Sequence, residues 1–147
     1  MPPDEPVPDT GTPGEVFALD RVHQVRLELD ASAWAELEQD PSSYVEGGLA
    51  IDGEALPRVG VRLKGRSGSY RDLEGKAGFK LDLDRYDDDA RLLGVRKLNL
   101  GNMVVDCSMA KEWLAWSVAR GAEVPALRLD YAELWVNDEL WGLYLLV

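Results

Sequence analysis

Hydrophobic and polar residues alternate in two stretches of the chain, residues 25–29 and residues 79–83. A period of two is typical of a β-strand that buries one face. Two further hydrophobic stretches, residues 49–51 and 59–63, flank Asp52-Gly53, a dipeptide that strongly favours a hairpin turn. The first half of the chain is therefore predicted to consist mainly of short strands.

Helical patterns occur in two places. Asp30 and Ser32 are candidate N-caps of a short helix over residues 33–38. Residues 106–120 are predicted to form the principal helix, because Asp106 is a candidate N-cap and three large hydrophobic residues recur with helical spacing. These residues are Met109, Trp113 and Trp116.

The end of the chain again predicts strands. Residues 129–136 and 140–147 are hydrophobic and flank Asn137-Asp138, so they are expected to form a second hairpin. Residues 95–100 add a further short strand. Several strands, one principal helix and mostly short turns predict an α+β fold with a mainly antiparallel sheet.

The length and composition limit both architecture and function. The 147 residues suffice for one domain, and no hydrophobic run approaches the roughly 18 residues of a membrane-spanning helix. The net charge of −11 argues against a nucleic-acid-binding domain. One cysteine and one histidine exclude an internal disulfide and leave no spacing for a zinc site.

The two ends of the chain differ in character. Residues 1–15 are rich in proline and acidic residues and contain no basic residue, which predicts a flexible linker. A linker of this kind before a globular domain favours an exported or cell-surface protein. Residues 141–147 form the most hydrophobic stretch, so residues 16–147 are expected to be the N-terminal part of a domain that continues in a longer parent protein.

Positive charge concentrates in one part of this acidic chain. Residues 58–80 contain seven basic and two acidic residues, a local charge of +5. If residues 59–63 form a strand, Val61 and Leu63 face one way, and Arg62 and Lys64 share the opposite face. This pattern places two positive charges side by side on the polar face of a strand.

The segment that follows Lys64 could wrap an anion with its backbone amides and hydroxyls. It contains Gly65, Ser67 and Ser69, and Lys80 lies on the polar face of the next predicted strand. This arrangement predicts a phosphate-binding site, although neither a Walker motif nor GxGxxG occurs. Glu112 on the predicted principal helix is either a partner of the strand lysine, as in protein kinases, or an exposed helix residue.

Several sequence blocks follow one another in the order found in the CotH family of atypical protein kinases, which the chain resembles. That family includes bacterial spore-coat kinases and secreted surface proteins. The most specific blocks are GVRLKGRS over residues 60–67 and NDELWGLYLLV over residues 137–147. The resemblance covers residues 16–147, and the departures from the family pattern include glycine at 68 and 101 and cysteine at 107.

The resemblance implies that the chain forms the N-terminal lobe of an atypical kinase fold and binds ATP with Mg²⁺. It also implies transfer of the γ-phosphoryl group to a protein hydroxyl. The catalytic and metal-binding aspartates are expected beyond Val147, so this chain alone is expected to be inactive. The candidate nucleotide-binding residues are Arg62, Lys64, Gly65, Ser67, Ser69, Lys80 and Glu112.

A second interpretation is an exported surface or adhesion module with a CotH-like fold and no kinase activity. Such a module would engage a cell-surface partner, and its nucleotide site would be vestigial. The presence of the metal-binding aspartates in the parent sequence would distinguish the two interpretations.

Overall fold

The computed structural model describes Phe17 and residues 21–147, so the linker predicted for residues 1–15 lies outside the described residues. Seven strands and two helices follow one another in this part of the chain. The strands are β1 (His23–Glu28), β2 (Val45–Ile51), β3 (Glu54–Lys64), β4 (Gly78–Asp82), β5 (Lys97–Gly101), β6 (Asp130–Val136) and β7 (Glu139–Leu146). The helices are α1 (Ala31–Gln39) and α2 (Lys111–Gly121).

The strands close into a barrel in the order β1-β2-β3-β4-β5-β7-β6. All neighbouring strands are antiparallel except β1 and β6, which pair in parallel and complete the ring. The predicted α+β fold, a kinase-like lobe with one principal helix, is therefore wrong. The described chain is mostly β-structure, and its helices span only 9 and 11 residues. Alternation of hydrophobic and polar residues occurs both in open sheets and in barrels, so the sequence pattern did not reveal that the sheet closes into a barrel.

The interior of the barrel is filled by alternate hydrophobic side chains from all seven strands. Val61, Phe79, Leu81 and Leu100 are among those with no solvent exposure. Burial of apolar surface contributes roughly 25 cal/mol per Å², so this interior is the main source of stability. Within the described part of the chain, neither helix is long and apolar enough to cross a membrane.

Both predicted hairpins are confirmed. Asp52 and Gly53 join β2 to β3 with φ angles of 51° and 89°, and Asn137 and Asp138 join β6 to β7 with φ angles of 49° and 64°. Positive φ at both central residues matches the right-handed twist of the flanking strands. The side chain of Asn137 also accepts a hydrogen bond from the backbone N–H of Leu29 at 2.8 Å, which ties the second hairpin to the end of β1.

The short predicted helix is confirmed, whereas the longer one differs from its prediction. Asp30 caps α1, since its side chain accepts a hydrogen bond from the Ala33 N–H at 2.8 Å. Helix α2 begins at Lys111 instead of Asp106. The Asp106 carboxylate accepts hydrogen bonds from Ser108 and from the Lys111 backbone, so it orders a turn before the helix. No residue of α2 is fully buried, and the helix contributes little to the core.

A buried histidine joins β1 to two other parts of the barrel. The His23 side chain lies between Asp52, 2.5 Å from Nδ1, and Asp130, 3.2 Å from Nε2. Burial alone would lower the pKa of His23, but the hydrogen bonds and negative charges of these two carboxylates raise it above its ordinary value. His23 therefore links β1 to both carboxylates at the seam where the barrel closes.

Candidate functional site

Strand pairing places the predicted cations side by side on the outer face of the barrel. Arg62 of β3 pairs with Lys80 of β4, and Lys80 pairs with Asn99 of β5. Their neighbours Val61 and Leu81 fill the interior, so these polar residues face outward. The structure therefore brings Arg62 and Lys80 together on one face, as the alternation predicted.

A cavity of about 350 Å³ lies where β3 and β5 end, beside the start of α2. Four of the predicted residues line it, namely Lys64, Gly65, Ser69 and Glu112. The glycines at 78 and 101 also line the cavity and leave bare backbone there. A Cβ atom at Gly78 would lie 3.2 Å from the backbone oxygens of Lys64 and Leu100, so any side chain at this position would be crowded.

The other predicted residues lie outside this cavity. Arg62 and Lys80 lie on the neighbouring outer face of β3 and β4 and do not line the cavity. Ser67 is exposed on the loop after β3. Glu112 shares the cavity with Lys64 and not with Lys80. Among the described residues no salt bridge joins Glu112 to either lysine, so the kinase-like pair of Lys80 and Glu112 is not formed here.

The nearest carboxylates on the strands are neutralised by other cations. Lys97 lies 2.5 Å from Asp82 and 3.0 Å from Asp84, and Arg96 lies 2.6 Å from Asp84. Hydrogen bonds from Arg96 and Lys97 hold the pKa of Asp84 well below its usual range, and those to Asp82 and Asp84 raise the pKa of Lys97. Among the described residues, neither Lys64 nor Lys80 forms a salt bridge.

The guanidinium of Arg62 is held by an aromatic ring instead of a carboxylate. It lies 5.4 Å from the ring centroid of Tyr44, a cation–π arrangement. Its Nε atom is buried and has no hydrogen-bond partner within the described residues. A buried donor without a partner costs free energy, so this nitrogen would gain from an anionic acceptor.

Asn102 organises the cavity, although the sequence alone left it either as a ligand-binding residue or as a residue that orders the turn before the helix. The side chain is buried, and Nδ2 donates to the backbone oxygens of Ser69 and Lys76, each at 2.9 Å. These bonds fasten the loop after β3 to the segment after β5. The glycines at 78 and 101 and Lys111 were also missed, because their place in the cavity depends on strand register and not on local pattern.

Asn102→Ala is expected to lower the free energy of unfolding by about 1–3 kcal/mol, because two backbone carbonyls lose their donor. Urea unfolding followed by tryptophan fluorescence measures the change. Asn99→Ala is the matched control, since Asn99 is half-buried on β5 and its side chain makes no hydrogen bond within the described residues. Equal effects of the two substitutions would contradict the organising role of Asn102.

Comparison with known proteins identifies one family. The family model described as CotH kinase protein matches residues 61–147, more than half of the chain. The match includes Arg62, Lys64, Lys80 and Glu112, and it confirms the resemblance for this part of the sequence. No curated protein matches the chain.

Proposed function

Because the chain belongs to the family of CotH kinase proteins, we propose that it supplies the nucleotide-phosphate-binding part of a CotH-type protein kinase. The cavity beside β3 and β5 receives the phosphates of ATP, with Lys64 on its wall and Lys80 and Arg62 on the adjoining strand face. The assembled kinase transfers the γ-phosphoryl group to a protein hydroxyl. This activity is proposed from the family and from the charges of the site.

One observation carries the proposal. Lys64 and Lys80 have no acidic partner within the described residues, although the chain as a whole has a net charge of −11. Lys64 precedes Gly65, an exposed glycine on the cavity wall, which allows an anion to approach closely. Phosphoryl transfer depends mainly on positioning and on charge stabilisation, and these are tasks for lysines and backbone amides.

The arrangement fits phosphate better than it fits a metal ion. Among the described residues, no three side chains of the types that bind metals lie close enough to form a site. Mg²⁺ usually reaches proteins together with nucleotide phosphates and retains several waters. Its role here would be to neutralise the phosphate charge, whereas Lys64, Lys80 and Arg62 would orient the phosphates.

Lys64→Met and Lys80→Met are each expected to weaken Mg-ATP binding at least tenfold, which corresponds to roughly 1.4 kcal/mol, because each removes a charge-assisted contact. Isothermal titration calorimetry of the chain measures the affinity. Glu112→Gln is expected not to weaken binding, because, among the described residues, Glu112 lines the cavity without a salt bridge to either lysine and its replacement only removes a negative charge there. Arg128→Met is the control, since Arg128 is exposed and does not line the cavity. If both lysine variants bind Mg-ATP as tightly as the unmodified chain, the phosphate site is wrong.

A second function, an exported surface module without kinase activity, is favoured by a different observation. The side chains of Leu114 and Val118 lie one turn apart on α2 and are 51% and 71% exposed. Exposed hydrophobic side chains that adjoin one another often mark protein contacts. If the chain binds no nucleotide at millimolar Mg-ATP, this second function replaces the first.

A further inference from the structure

A second cavity lies against α1 and shares no residue with the candidate phosphate site. Its volume is about 540 Å³. We call it the tryptophan pocket, and its lining residues are Trp34, Leu73, Glu74, Gly75, Lys76, Glu139 and Trp141. The proposed phosphate binding leaves it unused.

Two indole rings form a corner in this pocket. The ring centroids of Trp34 and Trp141 lie 6.2 Å apart, and the ring planes are nearly perpendicular at 87°. Trp141 also packs on buried Phe79 with centroids 5.6 Å apart, and Trp34 donates from Nε1 to Glu38 at 3.2 Å. Both rings are therefore held in place, and both offer aromatic surface to a group in the pocket.

The charges around the corner are negative. Glu74 and Glu139 are exposed at the pocket and form no salt bridge with any described residue. The one basic residue of the pocket, Lys76, directs its ammonium elsewhere: Nζ donates to the Leu143 backbone oxygen at 2.7 Å and lies 4.9 Å from the Tyr144 ring centroid. The ammonium therefore faces the backbone and the Tyr144 ring, and the two glutamates leave the lining of the pocket with a net negative charge.

We propose that the tryptophan pocket binds an organic cation, either a small quaternary ammonium or the basic side chain of a partner protein. Aromatic faces attract such cations through the ring quadrupole, and desolvated cations bind best to tryptophan. Glu74 and Glu139 add Coulomb attraction without blocking the corner. A neutral ligand of the same shape would gain only the apolar contact.

The test compares choline with 3,3-dimethylbutan-1-ol, its uncharged isostere, at constant ionic strength. Choline is expected to shift the indole N–H resonances of Trp34 and Trp141 with millimolar affinity, and the alcohol is expected to bind at least about fivefold more weakly. The resonances of Trp135 should not move, because this residue lies outside the pocket. Acetyl-arginine amide is the third probe, and tighter binding than choline assigns the pocket to a basic protein side chain.

Variants distinguish specific cation binding from nonspecific binding. Glu74→Gln combined with Glu139→Gln is expected to weaken choline binding about threefold or more, and Glu54→Gln, which is exposed on another strand, should leave it unchanged. Equal shifts with choline and with the neutral alcohol would overturn the proposal, as would the absence of any shift at about 100 mM choline.

Discussion

Replacing His23 by alanine is expected to lower the free energy of unfolding by about 3–5 kcal/mol, as for the loss of one partner of a buried ion pair. The side chain is buried between the carboxylates of Asp52 and Asp130, which come from separate parts of the chain. Alanine removes the positive charge and two hydrogen bonds from a site built around a cation. Urea unfolding at pH 6 measures the loss.

The same cluster predicts how stability depends on pH. The pKa of His23 is raised above 6.5 in the folded chain, so its contribution is complete below about pH 6.5 and is lost as the pH rises through the folded pKa. Asp52 sets how stability depends on pH in acid. Burial would raise the pKa of Asp52, but the hydrogen bond with His23 lowers it below 3.8. Its contribution is therefore present above about pH 3.8 and is lost in stronger acid.

His23→Gln tests whether His23 causes the loss of stability at higher pH. Glutamine can hydrogen-bond to the carboxylates but does not titrate, and His23 is the one histidine of the chain. The unmodified chain should lose stability as the pH rises above about 6.5, and the variant should lose much less. Parallel stability curves for the two proteins would show that His23 is not the titrating group.

Leu81→Ala is expected to lower the free energy of unfolding by about 2–5 kcal/mol and the melting temperature by roughly 4–20 °C. Leu81 is fully buried on β4 in the middle of the barrel, so its removal leaves a cavity that neighbouring strands cannot fill. Leu114→Ala makes the same chemical change on the exposed side of α2 and should alter stability by no more than about 0.5 kcal/mol. Similar losses at the two positions would contradict the assignment of the core.

Local patterns predicted the individual elements well. The alternation around Leu81 and the turn residues at 52 and 137 depend on neighbours in sequence, and the strands and hairpins follow them. The principal helix is shorter than predicted and adds little to the core, since Trp113 and Trp116 share a helical face but are only half-buried. Helical spacing shows which residues share a face but not whether anything covers that face.

For the candidate site, the sequence predicted which residues share one face of a strand, but not which residues of different strands meet. Alternation placed Arg62 and Lys64 on one face, and pairing of β3 with β4 added Lys80. Which carboxylates meet which cations depends on register between distant strands, so the partnership of Lys97 with Asp82 and Asp84 was not foreseen. His23 likewise gained its two carboxylates from residues remote in sequence.

The parallel pairing of β1 with β6 has a consequence for how the chain folds. His23 and Asp130 are 107 positions apart, so the ring cannot close until β6 and β7 have been synthesised. The β2–β3–β4 meander pairs neighbours along the chain and can form early, whereas the closing seam has to wait for the final hairpin. Distant contacts slow folding, and β1 exposes an unpaired edge during that interval. Nascent chains that stop before β6 are therefore the species most prone to pair with one another.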